Sequence, residues 1–155
     1  MTTEDLLRQF GDETVDIIRQ NMSKAGQNAT GSTSRNIVSE SSQDRVIVSG
    51  PKHVFTLETG RGPYDGGPAS NLKSKIEQWM KAKGVQPRIG QTLQESARDI
   101  AWFINKEGSK LFREGGRKDI ITPALSESRI NQLTEDIADV ESDKVVNVIE
   151  SGITR

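Results

Sequence analysis

Glu58, Arg61 and Asp65 lie within eight residues of each other around a glycine-rich turn, Gly60-Arg61-Gly62-Pro63 followed by Gly66-Gly67. Two carboxylates beside a turn are the minimum equipment for acid–base catalysis. No second element of a known reaction accompanies them, and an ion pair or a contact between subunits is the simpler use of the same charges. The glycines resemble a phosphate cradle only in composition. They lack both the lysine–serine ending of a P-loop and the strand-to-helix spacing of a dinucleotide site. His53 is the single histidine and cysteine is absent, which removes multi-histidine zinc sites, thiolate chemistry and disulfides. A serine triad would have to use His53, which opens a predicted strand just after Gly50-Pro51 and reads as a surface residue. The chain is therefore read as a non-enzyme that needs no cofactor or metal.

A second candidate is electrostatic. Residues 71–118 hold 11 Lys or Arg against 5 acids, a balance of +6, and residues 126–155 hold 3 against 7, a balance of −4. Lys73, Lys75, Lys81, Lys83 and Arg88 cluster on and after one predicted helix near Trp79, the elements of a nucleic-acid contact. Trp79 is expected on the apolar stripe with Leu72, Ile76 and Met80, leaving the lysines to solvate the opposite face. The opposed charges of the two segments also suit unlike faces that meet between neighbouring copies.

These residues must be positioned by a modest core. Leu, Ile, Val and Phe together make 36 of the 155 residues, just above the level of about 20% below which chains stay disordered. One domain is expected, with assembly completing the burial. No apolar run approaches the roughly 20 residues of a bilayer span, so a soluble protein of a cytoplasm is expected, with no membrane partner.

Periodicity predicts a helix over residues 3–25, capped by Thr2 or Thr3, with Gly11 as a weak point. A small polar linker, Gln27 to Ser34, leads to three predicted strands: Arg35 to Glu40, Arg45 to Ser49 and His53 to Glu58. With turn chemistry between them, they read as an antiparallel meander. Thr59 to Ala69 reads as an exposed loop around Tyr64. Helices are predicted from Ser70 to Lys83, stopped by Gly84, from Thr92 to about Phe112, and again after Pro123. Val145, Val146, Val148 and Ile149 either continue that last helix or form a terminal strand. The expected fold is α+β: an antiparallel three- to four-stranded sheet packed against a long N-terminal helix and two or more further helices. It fills one domain over residues 1–155, with an acidic helical extension from about 126.

Five segments in this order resemble the tail-completion or neck proteins of tailed bacteriophages, a family of head–tail joining and minor tail components. They begin with Ala29-Thr30-Gly31-Ser32 and Arg35-Asn36-Ile37, where the family often carries "TGxLRxSI". Leu57-Glu58-Thr59-Gly60-Arg61-Gly62-Pro63 is similar to "YxxxLExGxGP", and Ile76 to Val85 is similar to "IxxWIxxKGI". Leu93 through Gly108 looks like "LAxxIAxxIxxxG", and Asp119 to Leu125 resembles "FLxPAL", with Ile120-Ile121 in place of the Phe-Leu pair. The segment after 126 has no counterpart in the pattern.

The resemblance implies a structural virion protein, assembled in the host bacterial cytoplasm into a homo-oligomeric ring at the head–tail junction or upper tail. Its partners would be further copies of itself, portal-side connector proteins and tail proteins, with DNA met only in passing through the ring lumen. On this reading Glu58, Arg61, Tyr64 and Asp65 contact a neighbouring subunit or ring. The alternative is a nucleic-acid-binding module using the basic 71–118 region.

Overall fold

The computed structural model describes residues 1–28, 30–64 and 71–153. It is an α+β arrangement in which helices predominate. In chain order the elements are α1 (Thr3–Lys24), a single turn α2 (Ser32–Arg35), β1 (Val38–Ser41), β2 (Val46–Ser49), a 3₁₀ turn (Lys52–Phe55), and α3 (Thr56–Thr59). They continue as α4 (Leu72–Lys83), α5 (Leu93–Glu107), α6 (Lys110–Arg113), a second 3₁₀ turn (Thr122–Leu125) and α7 (Glu127–Ile153).

The N-terminal helix is the hub. Thr2 caps it reciprocally with Asp5, satisfying amide groups that the first turn leaves open. Leu7, Thr14, Ile18 and Met22 of its expected stripe are buried, together with Val15, while Phe10, Ile17 and Ala25 are only partly so. Gly11, expected as a weak point, sits in unbroken helix. Its bare Cα lets the hairpin approach, because a Cβ there would meet Val46 Cγ2 at 2.6 Å and Ser39 Cβ at 3.0 Å. The hairpin pairs Ser39 with Val48 and Ser41 with Val46 on its inner face. Val38 and Ile47 point outward and are exposed. Arg19 reaches back from α1 to the carbonyls of Ser34 and Ile37, fixing the chain as it enters β1.

Among the described residues the sheet has two strands, not three or four. The predicted third strand, His53 to Glu58, forms the first 3₁₀ turn and α3 instead. Val54 N–H donates to the carbonyl of Pro51 and Gly60 N–H to that of Thr56, and the Thr56 hydroxyl bonds the carbonyl of His53. The segment thus satisfies its backbone locally. Val54 and Leu57, three apart, both turn to the core, a spacing that suits a helical turn better than alternation.

Two apolar clusters result. One joins Val15, Ile18, Met22, Ile37, Val54, Ile120 and Ala124 around α1. The other lies within the α4–α5 helical hairpin, where Leu72, Ile76 and Met80 meet Ala97 and Ala101. The small alanines permit the close approach expected of them. Gly84 ends α4 in the left-handed region, and Val85 N–H bonds the carbonyl of Met80, the helix-ending pattern that favours glycine. Ser70, predicted to cap α4, lies outside the described residues.

The next helix stops at Gly108, a turn earlier than its pattern suggests, because that glycine turns to φ +83°. After the second 3₁₀ turn, residues 145–149 continue α7 rather than forming a strand. Arg129 anchors the start of α7 to α1, lying over the Phe10 ring at 5.1 Å and 3.6 Å from Glu13.

Candidate functional site

Residues 57–64 are laced to the segment 105–122 that runs beside them. Glu58 Oε1 accepts the backbone N–H groups of Ile120, Ile121 and Thr122 at 2.8, 2.7 and 3.0 Å, and Oε2 accepts the Thr122 hydroxyl at 2.8 Å. The Glu58 carbonyl takes the N–H of Arg117. Burial opposes ionisation of this carboxyl, yet the bonds from Thr122, Ile120 and Ile121 outweigh it and hold the group below its ordinary range. A carboxylate so engaged is a poor proton acceptor near neutrality. Its geometry is that of a side-chain cap on the turn Thr122–Leu125.

Arg61 is tied on the opposite flank. Its N–H donates to Ser109 Oγ at 2.9 Å, its carbonyl accepts Ser109 N–H at 2.8 Å, and its guanidinium stands 3.4 Å from Asn105 Oδ1. Tyr64 N–H donates to the Asn105 carbonyl at 2.8 Å. Glu58 is thus directed to residues 117–122 and Arg61 and Tyr64 both to Asn105, and Glu58 and Arg61 form no ion pair. Asp65 lies outside the described residues, as do Gly66 and Gly67.

The glycines of this segment are packing positions. Gly60 has φ +74° and ψ 175°, a region essentially reserved for glycine. A Cβ there would lie 2.8 Å from both Phe112 Cα and Ser109 Oγ. A Cβ on Gly108 would meet the Phe112 ring at 2.7 Å. Beside the lacing is an open depression of about 510 Å³ lined by Glu58, Thr59, Phe112, Gly116, Arg117 and Thr122 among others. Arg117 is occupied by Asp119 at its rim. No group of three or more His, Asp or Glu side chains able to hold a metal occurs among the described residues.

The basic surface differs from expectation at its aromatic residue. Met80, not Trp79, completes the buried stripe with Leu72 and Ile76, and Trp79 is 45% exposed. Lys75 and Lys83 stand one turn to either side of it on α4, both exposed. Lys73 lies 3.8 Å from Glu77, and Lys83 Nζ donates to the Gly26 carbonyl. His53, as expected, is exposed, with Nε2 at 2.7 Å from the Thr33 hydroxyl.

Sequence reasoning missed an apolar groove between α1, the hairpin and the two 3₁₀ turns. Ile18, Ile37, Val48, Val54, Phe55 and Leu125 line it, enclosing about 280 Å³. Its one advance signal was the adjacency of Val54 and Phe55, which cannot both face inward from a single turn.

The fold defines an α+β protein with two buried apolar clusters and a polar lacing between residues 58–64 and 105–122. No helix among the described residues is long and apolar enough to cross a membrane. In comparison with known proteins, the chain matches no protein-family model, no curated protein and no solved structure.

Proposed function

We propose that the chain is a structural, ring-forming component of a tailed bacteriophage, placed at the head–tail junction or upper tail between portal-side and tail-side proteins. The observation carrying this reading is the meeting of the segments on which the resemblance rests. Glu58 of the "LExGxGP"-like turn caps Ile120 to Thr122 of the "FLxPAL"-like segment. Gly60 of the first packs beside Phe112 and Ser109, just beyond Gly108, which closes the "LAxxIAxxIxxxG"-like helix. Positions that match at a distance in sequence thus depend on one another in space. The rest of that turn, from Arg61 through Tyr64 to Asp65, is the part we assign to a neighbouring subunit or ring, with Glu58 holding its base.

Immunogold labelling of purified particles, viewed by negative-stain electron microscopy, tests the reading. Label at the head–tail junction is the expected result. No label on intact or disrupted particles would remove the virion role. Within that role, Arg61→Glu and Tyr64→Ala should each impair particle assembly, and normal assembly of both would remove the contact.

One observation favours a second reading, a nucleic-acid-binding module: Trp79 is exposed between Lys75 and Lys83, a stacking ring flanked by phosphate-binding cations. Binding to DNA or RNA fragments that weakens steeply with salt, and that Trp79→Ala reduces, would establish it. Absence of binding at low salt would leave the first reading alone.

A further inference from the structure

The α4–α5 hairpin carries its own core. Every residue of its apolar cluster falls between Leu72 and Ile104. The cluster around α1 draws on residues 15–57 and 120–124, so the two share no side chain. Among the described elements, α4 and α5 pack chiefly on each other. The turn between them is stitched inward as well. The Arg88 N–H donates to Ser96 Oγ at 3.0 Å, and that hydroxyl donates to Gln91 Oε1 at 3.0 Å. Ser96 is buried. Residues 72–104 therefore form a unit that holds its own shape.

The unit is fastened to the rest of the chain mainly at one end. At its base, where α5 finishes, the Asn105 carbonyl accepts the Tyr64 N–H and Ser109 exchanges two hydrogen bonds with the Arg61 backbone. Arg113 lies over the Phe103 ring there, at 4.9 Å. At the tip, among the described residues, one hydrogen bond crosses to the body: Lys83 Nζ donates to the Gly26 carbonyl at 3.0 Å. Both residues are exposed, so water competes for each half of that bond. Parts of a chain joined without a large apolar interface move relative to one another by default. The 15 residues of α5 span about 22 Å. A rotation of about 20° at the base carries the tip about 8 Å.

We propose that α4–α5 is a hinged arm, swinging as a rigid body about the Arg61–Ser109 pairing, with the Lys83–Gly26 bond as the latch that holds it closed. Lys83 lies one turn beyond Trp79 on the same side of α4, so release of the latch frees a cation beside that exposed ring. The motion follows from the two separate cores and holds whether or not the chain builds a ring.

Because the chain has no cysteine, spin labels on introduced cysteines read the motion in the full chain by double electron–electron resonance. Gln20→Cys with Gln86→Cys spans body and tip, and Ser74→Cys with Gln94→Cys lies within the arm. All four positions are exposed. The expected result is a narrow distance distribution within the arm and a broader or two-peaked one between body and tip. Lys83→Ala should raise the population of the longer body-to-tip distances by roughly twofold or more and leave the pair within the arm unchanged. A body-to-tip distribution as narrow as the arm's, with and without Lys83, overturns the hinge. A broad distribution indifferent to Lys83→Ala overturns the latch. Equal broadening of both pairs overturns the rigid arm, because the hairpin itself would then be flexing.

Discussion

Glu58 and Thr122, 64 residues apart, are joined twice: the Thr122 N–H and its hydroxyl donate to different oxygens of one carboxylate, at 3.0 and 2.8 Å. With the amides of Ile120 and Ile121, this carboxylate sets how the chain enters its last long helix. Ile120 is fully buried and Ala124 beside it likewise, so the cap also seats two core residues.

Replacing Glu58 should therefore unfold the protein more easily rather than abolish a reaction. Glu58→Ala leaves three amide donors without their acceptor, for an expected loss of about 2–3 kcal/mol, read from urea denaturation at neutral pH. A full-stability Glu58→Ala variant would show that the cap is dispensable.

Acid adds a signed test of the same contact. The folded carboxyl lies below the ordinary glutamate value of 4.5, so its contribution is complete above that value and disappears as pH falls through the lowered one. The stability gap between the native chain and Glu58→Gln should accordingly narrow on acidification below pH 4.5. A gap constant down to the native chain's acid transition would contradict the assignment.

Gly60 and Gly84 separate two kinds of glycine requirement. Both have positive φ, but nothing lies within 4 Å of a Cβ at Gly84. Gly84→Ala should cost about 1–2 kcal/mol from backbone strain alone. Gly60→Ala adds overlap with the Phe112 backbone and should cost about 2–4 kcal/mol. Thermal melts of the two variants make the comparison directly, and equal losses would refute it.

On α1, Gly11→Ala gains about 1 kcal/mol of helix propensity but pushes Val46 and Ser39 away. The net effect expected is destabilisation, by about 1–2 kcal/mol. A variant more stable than the native chain would mean the hairpin yields freely.

The α4 stripe can be checked by a pair of truncations. Met80→Ala, at a site only 1% exposed, should lose about 2–5 kcal/mol. Trp79→Ala should lose less than half as much despite removing the larger side chain. The opposite order would restore the tryptophan to the core.

Helices were legible in the chain because their signals are local. Thr2 and Thr92 each precede an acid three residues on, Gly84 and Gly108 follow their last turns, and the three-to-four spacing of Leu7 to Met22 needs no partner to be recognised. The α+β class and the β1–β2 hairpin followed from the same kind of evidence. The fate of residues 53–58 did not. Val54, Phe55 and Leu57 suit either period, and the local turn closed on Pro51 was joined by contacts made elsewhere: Val54 entering the cluster around Met22, and Glu58 reaching Thr122. Trp79 was misread for a related reason. An apolar stripe on one helix does not say where its centre lies until the facing helix is present, and Ala97 and Ala101 placed that centre nearer Met80. Sequence by itself determined the long helices α1, α4 and α7 and most of α5. Only tertiary structure decided which of the side chains compared above cap, which pack and which remain on the surface, because those outcomes depend on groups brought together from 17 residues away, as Ala97 is from Met80, to 64, as Thr122 is from Glu58.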